Sequence, residues 1–144
     1  MDYHQGYDGT ALAVDLDGTL LKSDTLHEGF VRALFTRPTD AALAVIALVH
    51  GRAAVKARLS DHSSAAVEHM PVRADFLAWL QDMAHAGRRL HLVTAAHHSV
   101  AAAAAERFPF FERVIATEGS TNLKGVNKRD RLASEFPEGY AYAG

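Results

Sequence analysis

The stretch ALAVDLDGTL, residues 11–20, decides how the rest of the chain is read. Its first half is a short apolar run, the pattern of a strand buried on both faces of a parallel sheet. Directly after that run stand two carboxylates, Asp15 and Asp17, two residues apart. Ligands of parallel α/β sheets bind at the carboxyl ends of the strands, so both side chains are offered to one space. One carboxylate there can attack phosphorus and carry the phosphoryl group as an aspartyl phosphate. The other can protonate the leaving oxygen and later activate water. Hard oxygen ligands beside a phosphate also suit Mg²⁺. Gly18 allows the tight turn that follows.

Plainer readings of the same residues fare worse. Four fixed residues arise by chance only about once in 10⁵ starts. A calcium loop beginning at Asp15 needs Gly at its sixth position and Glu at its twelfth, where Leu20 and Leu26 stand. A simple acidic turn has no need of a buried strand in front of it.

Outward from this stretch, the chain divides into an alternating part and a helical part. Ser23 and Asp24 are good N-caps for a helix over 25–36, with Leu26, Phe30, Val31 and Leu34 on one face. Pro38 and Thr39 start a second helix that ends near Gly51. This helix is apolar nearly all round, so it is either buried or pressed against something outside the chain. A basic helix with Arg52, Lys56 and Arg58 follows, ending near Ser60, and 62–69 is a short, weakly patterned piece. After Pro71 the pattern changes to helix (76–84, stopped by Gly87), strand (90–94), helix (99–107), strand (113–117), helix (125–136) and strand (140–143). Alternation of this kind means crossover units and a parallel sheet. We therefore expect one α/β domain, with a core of 10–23 and 71–144 and a small helical cap of about 24–70 inserted after the first strand.

Composition supports an ordinary folded domain and narrows its partners. The 144 residues are 49% apolar and 22% charged, which suits a folded globular chain. The net charge of −2 gives no basic excess of the kind that nucleic-acid binding asks for. With no Cys, disulfides, Cys-type zinc sites and thiol catalysis are excluded. The longest apolar run, 41–49, is far short of the ~20 residues needed to span a bilayer. The polar, acidic first ten residues are unlike a secretory signal, so a soluble, cytoplasmic protein is expected. Among the nine His, His97 and His98 are placed to touch a phosphate, although incidental exposure is the plainer reading. His91 reads as strand packing. His62 and His69 have no third ligand at zinc spacing.

The string VDLDGTL resembles the first motif of the haloacid dehalogenase (HAD) superfamily, whose usual members are Mg²⁺-dependent phosphatases on a Rossmann-like sheet. The resemblance carries further assignments. Thr94, closing the strand LHLVT, matches the Thr or Ser of the second motif. Its hydroxyl and the backbone N–H of Ala95 would hold the transferring phosphoryl group. Lys124 matches the lysine at the start of a later helix, with Lys128 one turn on as the alternative. That ammonium would neutralise phosphate and hold the nucleophile. Asp15 is then the nucleophile and Asp17 the acid and base. Mg²⁺ would be held by Asp15, the Asp17 carbonyl and an acidic residue that follows the fourth strand in the family. YAYAG, 140–144, resembles the strand and glycine leading to that residue, so the chain is expected to stop short of it.

Taken together, VDLDGTLLKSDTLHEG, GRAAVKARL, TNLKGVNKRDRL and YAYAG resemble one subgroup, in which a HAD domain precedes a fused UbiA-type membrane prenyltransferase. That resemblance implies a polyprenyl- or phosphoribose-linked phosphate as substrate and a position at the cytoplasmic face of a membrane. The expected reaction is phosphate-monoester hydrolysis. A phosphotransferase or mutase on the same scaffold, and a non-catalytic domain serving the fused enzyme, are the alternatives.

Overall fold

Every residue of β1 (Ala11–Val14) is buried, and its side chains alternate between two apolar layers. Leu12 and Val14 join one layer; Ala11 and Ala13 join the other. The computed structural model describes residues 10–117 and 126–144. Its sheet contains β1, β2 (Leu90–His97), β3 (Arg113–Thr117) and β4 (Tyr140–Ala143), all parallel, in the order β3-β2-β1-β4. Leu12 is level with Leu90 on one side and with Ala141 on the other. The order reverses at β1, which leaves a crevice at its carboxyl end. This is the α/β Rossmann-like class expected from the alternating pattern.

Helices cover both faces of the sheet. Leu80 of α5 (Ala74–His85) and Val100 and Ala104 of α6 (His98–Arg107) pack on the Leu12 and Val14 side. Leu132 of α7 (Val126–Glu135), with Phe136 just beyond it, packs on the other side with Ala13, Val93 and Ile115. His91 is buried there too, its ring 4.8 Å from that of Phe136, as strand packing requires.

Between β1 and α5 the chain makes four helices, α1 (Thr25–Thr36), α2 (Pro38–Ala47), α3 (Arg52–Arg58) and α4 (Ser60–Val67). A short 3₁₀ turn, Leu48–His50, follows α2. The insert leaves and rejoins the core at one place. Lys22 N–H donates to the Pro71 carbonyl at 2.9 Å, and Arg73 N–H to the Leu20 carbonyl at 3.0 Å. Asp24, one of the two predicted caps, accepts from the amides of Leu26 and His27 and starts α1.

The stretch 62–69, read as weakly patterned, is in fact mostly α4. Little amphipathic signal marks it because its partners are close helices, not a broad apolar face. A Cβ added to Gly29 of α1 would lie 2.0 Å from Ser63 Oγ, so the two backbones approach as only glycine allows. On its other side α4 meets α6, whose alanines let it come close. Arg107 of α6 donates to the carbonyls of Val67 and Met70, satisfying the open end of α4.

The apolar helix α2 is only half accounted for. Ala41 and Ala44 pack with Ala33, Val55 and Leu59, while Val45, Ile46, Leu48 and Val49 are exposed. His62 of α4 meets Asp40 at 2.9 Å, tying α2 to the rest of the insert.

Candidate active site

Asp15 is fixed by the sheet itself. Its N–H continues the β1–β4 ladder, donating to the Ala143 carbonyl at 2.9 Å. The chain then turns sharply, with Gly18 at φ 75° and Leu21 N–H bonded to the Leu16 carbonyl at 2.9 Å. Leu16, Leu20 and Leu21 are fully buried and anchor the turn from inside. Arg73 clamps it from outside, donating to the Gly18 carbonyl from Nε at 3.3 Å and from Nη2 at 3.0 Å.

Both carboxylates line one cavity of about 320 Å³ at the carboxyl end of the sheet. They stand in different surroundings. Asp15 Oδ1 accepts from Lys128 Nζ at 2.7 Å, and that ammonium also reaches the Tyr142 hydroxyl at 3.1 Å. Asp17 accepts from Thr25, N–H to Oδ1 at 2.8 Å and hydroxyl to Oδ2 at 3.3 Å. No cation bonds Asp17 among the described residues. Burial pushes its carboxyl above the ordinary 3.8, against the lowering effect of the Thr25 bonds, and the charges of Asp24 and Asp15 push it further up. One carboxylate is thus held by a cation and the other is biased toward its protonated form.

The far wall comes from the inserted helices. Arg52 and Lys56, one turn apart on α3, and Ser63 of α4 line the cavity. Lys56 is buried and its ammonium donates to the Ala95 carbonyl at the end of β2. Ser63 Oγ is buried with no hydrogen-bond partner among the described residues, a hydroxyl available to a ligand. Cavity-lining Arg52, Lys56 and Lys128 against Asp15, Asp17 and Asp24 make an ion-balanced chamber, suited to an anion brought with a cation.

The other expected residues are placed as follows. Ala95 lines the cavity. Thr94 is fully buried and does not; its hydroxyl oxygen accepts from Ala96 N–H at 3.0 Å, shaping the bulge between Val93 and His97. Lys124 lies outside the described residues, and Lys128, the alternative, is the lysine on Asp15. His97 lines the cavity and caps α6 through Ser99, while His98 is exposed. Burial draws the His97 imidazole below its ordinary 6.5, and neighbouring His98 adds to this.

Sequence reasoning did not single out Thr25, Ser63, Arg52, Lys56 or Tyr142 as site residues. The Arg52–Lys56 spacing puts both cations on one helix face, a signal that was present. Thr25 and Ser63 carry none, because the packing of the insert alone brings them in.

The sequence pattern of the haloacid dehalogenase-like hydrolases matches residues 12–138. The chain belongs to that family. It is 38% identical over 133 residues to "Uncharacterized protein y4nM" of Sinorhizobium fredii (strain NBRC 101917 / NGR234). The match covers 92% of this chain and 26% of that protein, so the HAD chain spans about a quarter of the relative's length. Among solved structures it resembles a phospho-aspartyl intermediate analogue of phosphoserine phosphatase at TM-score 0.58 and 12% identity, over 92% of this chain and 73% of that one. A HAD family hydrolase of Salmonella enterica serovar Typhi gives TM-score 0.61 and 12% identity, over 89% and 51%. A protein of unknown function from Bordetella pertussis Tohama I gives 0.58 and 18%, over 91% and 76%. At these identities the likenesses show a shared fold.

Proposed function

We propose that this HAD chain hydrolyses a phosphate monoester through an aspartyl phosphate on Asp15. The observation that carries the reading is the unequal pair: Asp15 held by Lys128, and Asp17 biased toward its acid form in the same cavity. Asp15 attacks phosphorus; its new P–O bond forms as the bond to the leaving oxygen breaks. Asp17 gives its proton to that oxygen. It then takes a proton from water, which attacks phosphorus, frees Asp15 and releases phosphate. Lys128 orients the nucleophile and offsets the phosphoryl charge. The amide of Ala95 would hold a phosphoryl oxygen, Thr94 would shape the bulge that presents it, and Lys124 remains a second candidate cation.

The donors at the strand end are hard oxygens, the kind that Mg²⁺ takes together with substrate phosphate. Asp15 and the Asp17 carbonyl would hold the ion, and when bound it supplies charge neutralisation at the transferring group. Arg52, Lys56 and Ser63 would meet the leaving part of the substrate and help exclude bulk water. Polyprenyl- or phosphoribose-linked phosphates are the substrates we favour. We also place the chain beside a fused UbiA-type prenyltransferase at the cytoplasmic face of a membrane. Both rest on the string resemblance.

The test is turnover of an aryl phosphate with Mg²⁺, combined with acid trapping of the phosphoenzyme. Hydroxylamine-labile phosphate should appear in the wild type and be absent in Asp15→Asn, with turnover down by roughly 10⁴-fold or more. A folded wild-type chain that neither turns over nor traps phosphate would overturn the reading.

A further inference from the structure

The inserted helices carry an apolar face that none of the described residues covers. Among the described residues, seven of the nine exposed large apolar side chains fall between Leu34 and Val49. Phe35 at the end of α1 is 82% exposed, Val49 after α2 is 83%, and Ile46 between them is 62%. Leu43, Val45 and Leu48 fill in the same helix and turn. Scattered apolar residues are normal on a surface, but such a concentration marks a contact.

Charge says what kind of contact. From Gly29 to Ser60 the chain has Arg32, Arg37, Arg52, Lys56 and Arg58 against a single acid, Asp40, itself bonded to His62. Arg52 and Lys56 line the catalytic cavity, which leaves Arg32, Arg37 and Arg58 against Asp40 outside it in a chain that is net −2, with the acids Glu28 and Asp61 at the two ends of the segment. Arg32, Arg37 and Arg58 are exposed. A second copy of the same face would set like charges against each other. The patch is mostly aliphatic, with one Phe and no Trp or Tyr, unlike the aromatic anchors of a specific protein interface. An apolar helix face rimmed with arginines is what an anionic lipid surface accepts.

We infer that the α1–α2 hairpin docks the chain on an anionic membrane surface, with Phe35, Ile46 and Val49 entering the headgroup boundary and Arg32 and Arg37 meeting lipid phosphates. The docking is independent of the catalytic reading and needs no membrane-spanning helix; among the described residues none is long and apolar enough to be one.

The test is co-sedimentation with phosphatidylcholine vesicles, with and without phosphatidylserine. The wild type should bind the anionic vesicles, release in high salt, and ignore the neutral ones. Ile46→Ser with Val49→Ser should lose about tenfold in binding. Arg32→Gln should lose about fivefold, and Arg37→Gln a similar factor. All three variants should keep the wild-type circular dichroism, melting temperature and aryl-phosphate turnover, since none lies in the cavity. No binding by the folded wild type, equal binding to both vesicle types, or unchanged binding by the Ser variant would each overturn the inference. So would a dimer in sedimentation equilibrium that the Ser variant dissolves, which would give the face to a second copy. Absence of turnover alongside intact vesicle binding would count against the phosphatase reading alone.

Discussion

The floor of the cavity and its roof are built on opposite plans. The floor is β1, with all four residues buried, paired on both edges and sandwiched between two apolar layers. The roof is an insert of short helices in which Ala33, Ala41 and Ala44 pack with Val55 and Leu59, while the larger apolar side chains of α2 are turned outward. The floor holds Asp15 through backbone bonding to Ala143. The roof reaches Asp17 through two bonds from Thr25, at the N-terminus of α1. The nucleophile candidate is therefore held by the sheet, while the acid–base candidate is partly held by the inserted helices.

The sharpest way to break this contrast is to disturb the packing once on each side. Leu92→Ala in β2 should cost about 3 kcal/mol of global stability, because a fully buried side chain leaves a cavity between close-packed layers. Denaturant unfolding reads it directly. Gly29→Ala adds only a methyl, but it drives a Cβ into Ser63. We expect about 1–3 kcal/mol of destabilisation. It should be concentrated in α1 and α4, so that hydrogen exchange quickens there while β1 and β2 stay protected. Uniform loss across the chain would mean that roof and floor unfold as one unit.

The same contrast explains what could be read from the sequence. The strands were legible because a buried parallel strand needs an unbroken apolar run, and ALAV, LHLV, RVIA and YAYA are such runs or nearly so. Asp15 and Asp17 were legible because the strand end fixes where their side chains go. In the roof, existence was easier to read than packing. Asp24 announced α1, but α4 is held by a glycine contact and by Arg107 from a distant helix, neither of which leaves a periodic mark. The uniformly apolar α2 could not say which face was inside, since small alanines and large aliphatics look alike to a hydrophobic pattern. Lys56 read as one cation of a basic helix; only the fold brings its ammonium to the Ala95 carbonyl.

A smaller effect tests how Asp17 is balanced between floor and roof. Its carboxyl is raised above 3.8, so the folded chain binds that proton more tightly than the unfolded chain does. Its contribution to stability is full below the unfolded value and is lost as pH rises through the raised folded value. Asp17→Asn keeps an oxygen for Thr25 N–H and removes the charge. In metal-free buffer the variant should match or exceed the wild type in stability at neutral pH and lose that segment of the pH profile. If the variant is the weaker at neutral pH, the Thr25 bonds to a charged Asp17 dominate and burial does not.

The smallest change should come from the outer face of the roof. Ile46 is 62% exposed and gives up almost no packing when shortened, so Ile46→Ser should leave the unfolding midpoint within about 0.5 kcal/mol of wild type. An exposed isoleucine has little transfer free energy left to lose, and serine is no worse there for a chain in water. The comparison with Leu92 is then complete: two aliphatic residues, one beneath the site and one above it, differ severalfold in what they contribute to folding. If Ile46→Ser proves as costly as Leu92→Ala, α2 is covered in solution, and a dimer in sedimentation equilibrium would give that cover to a second copy of the chain.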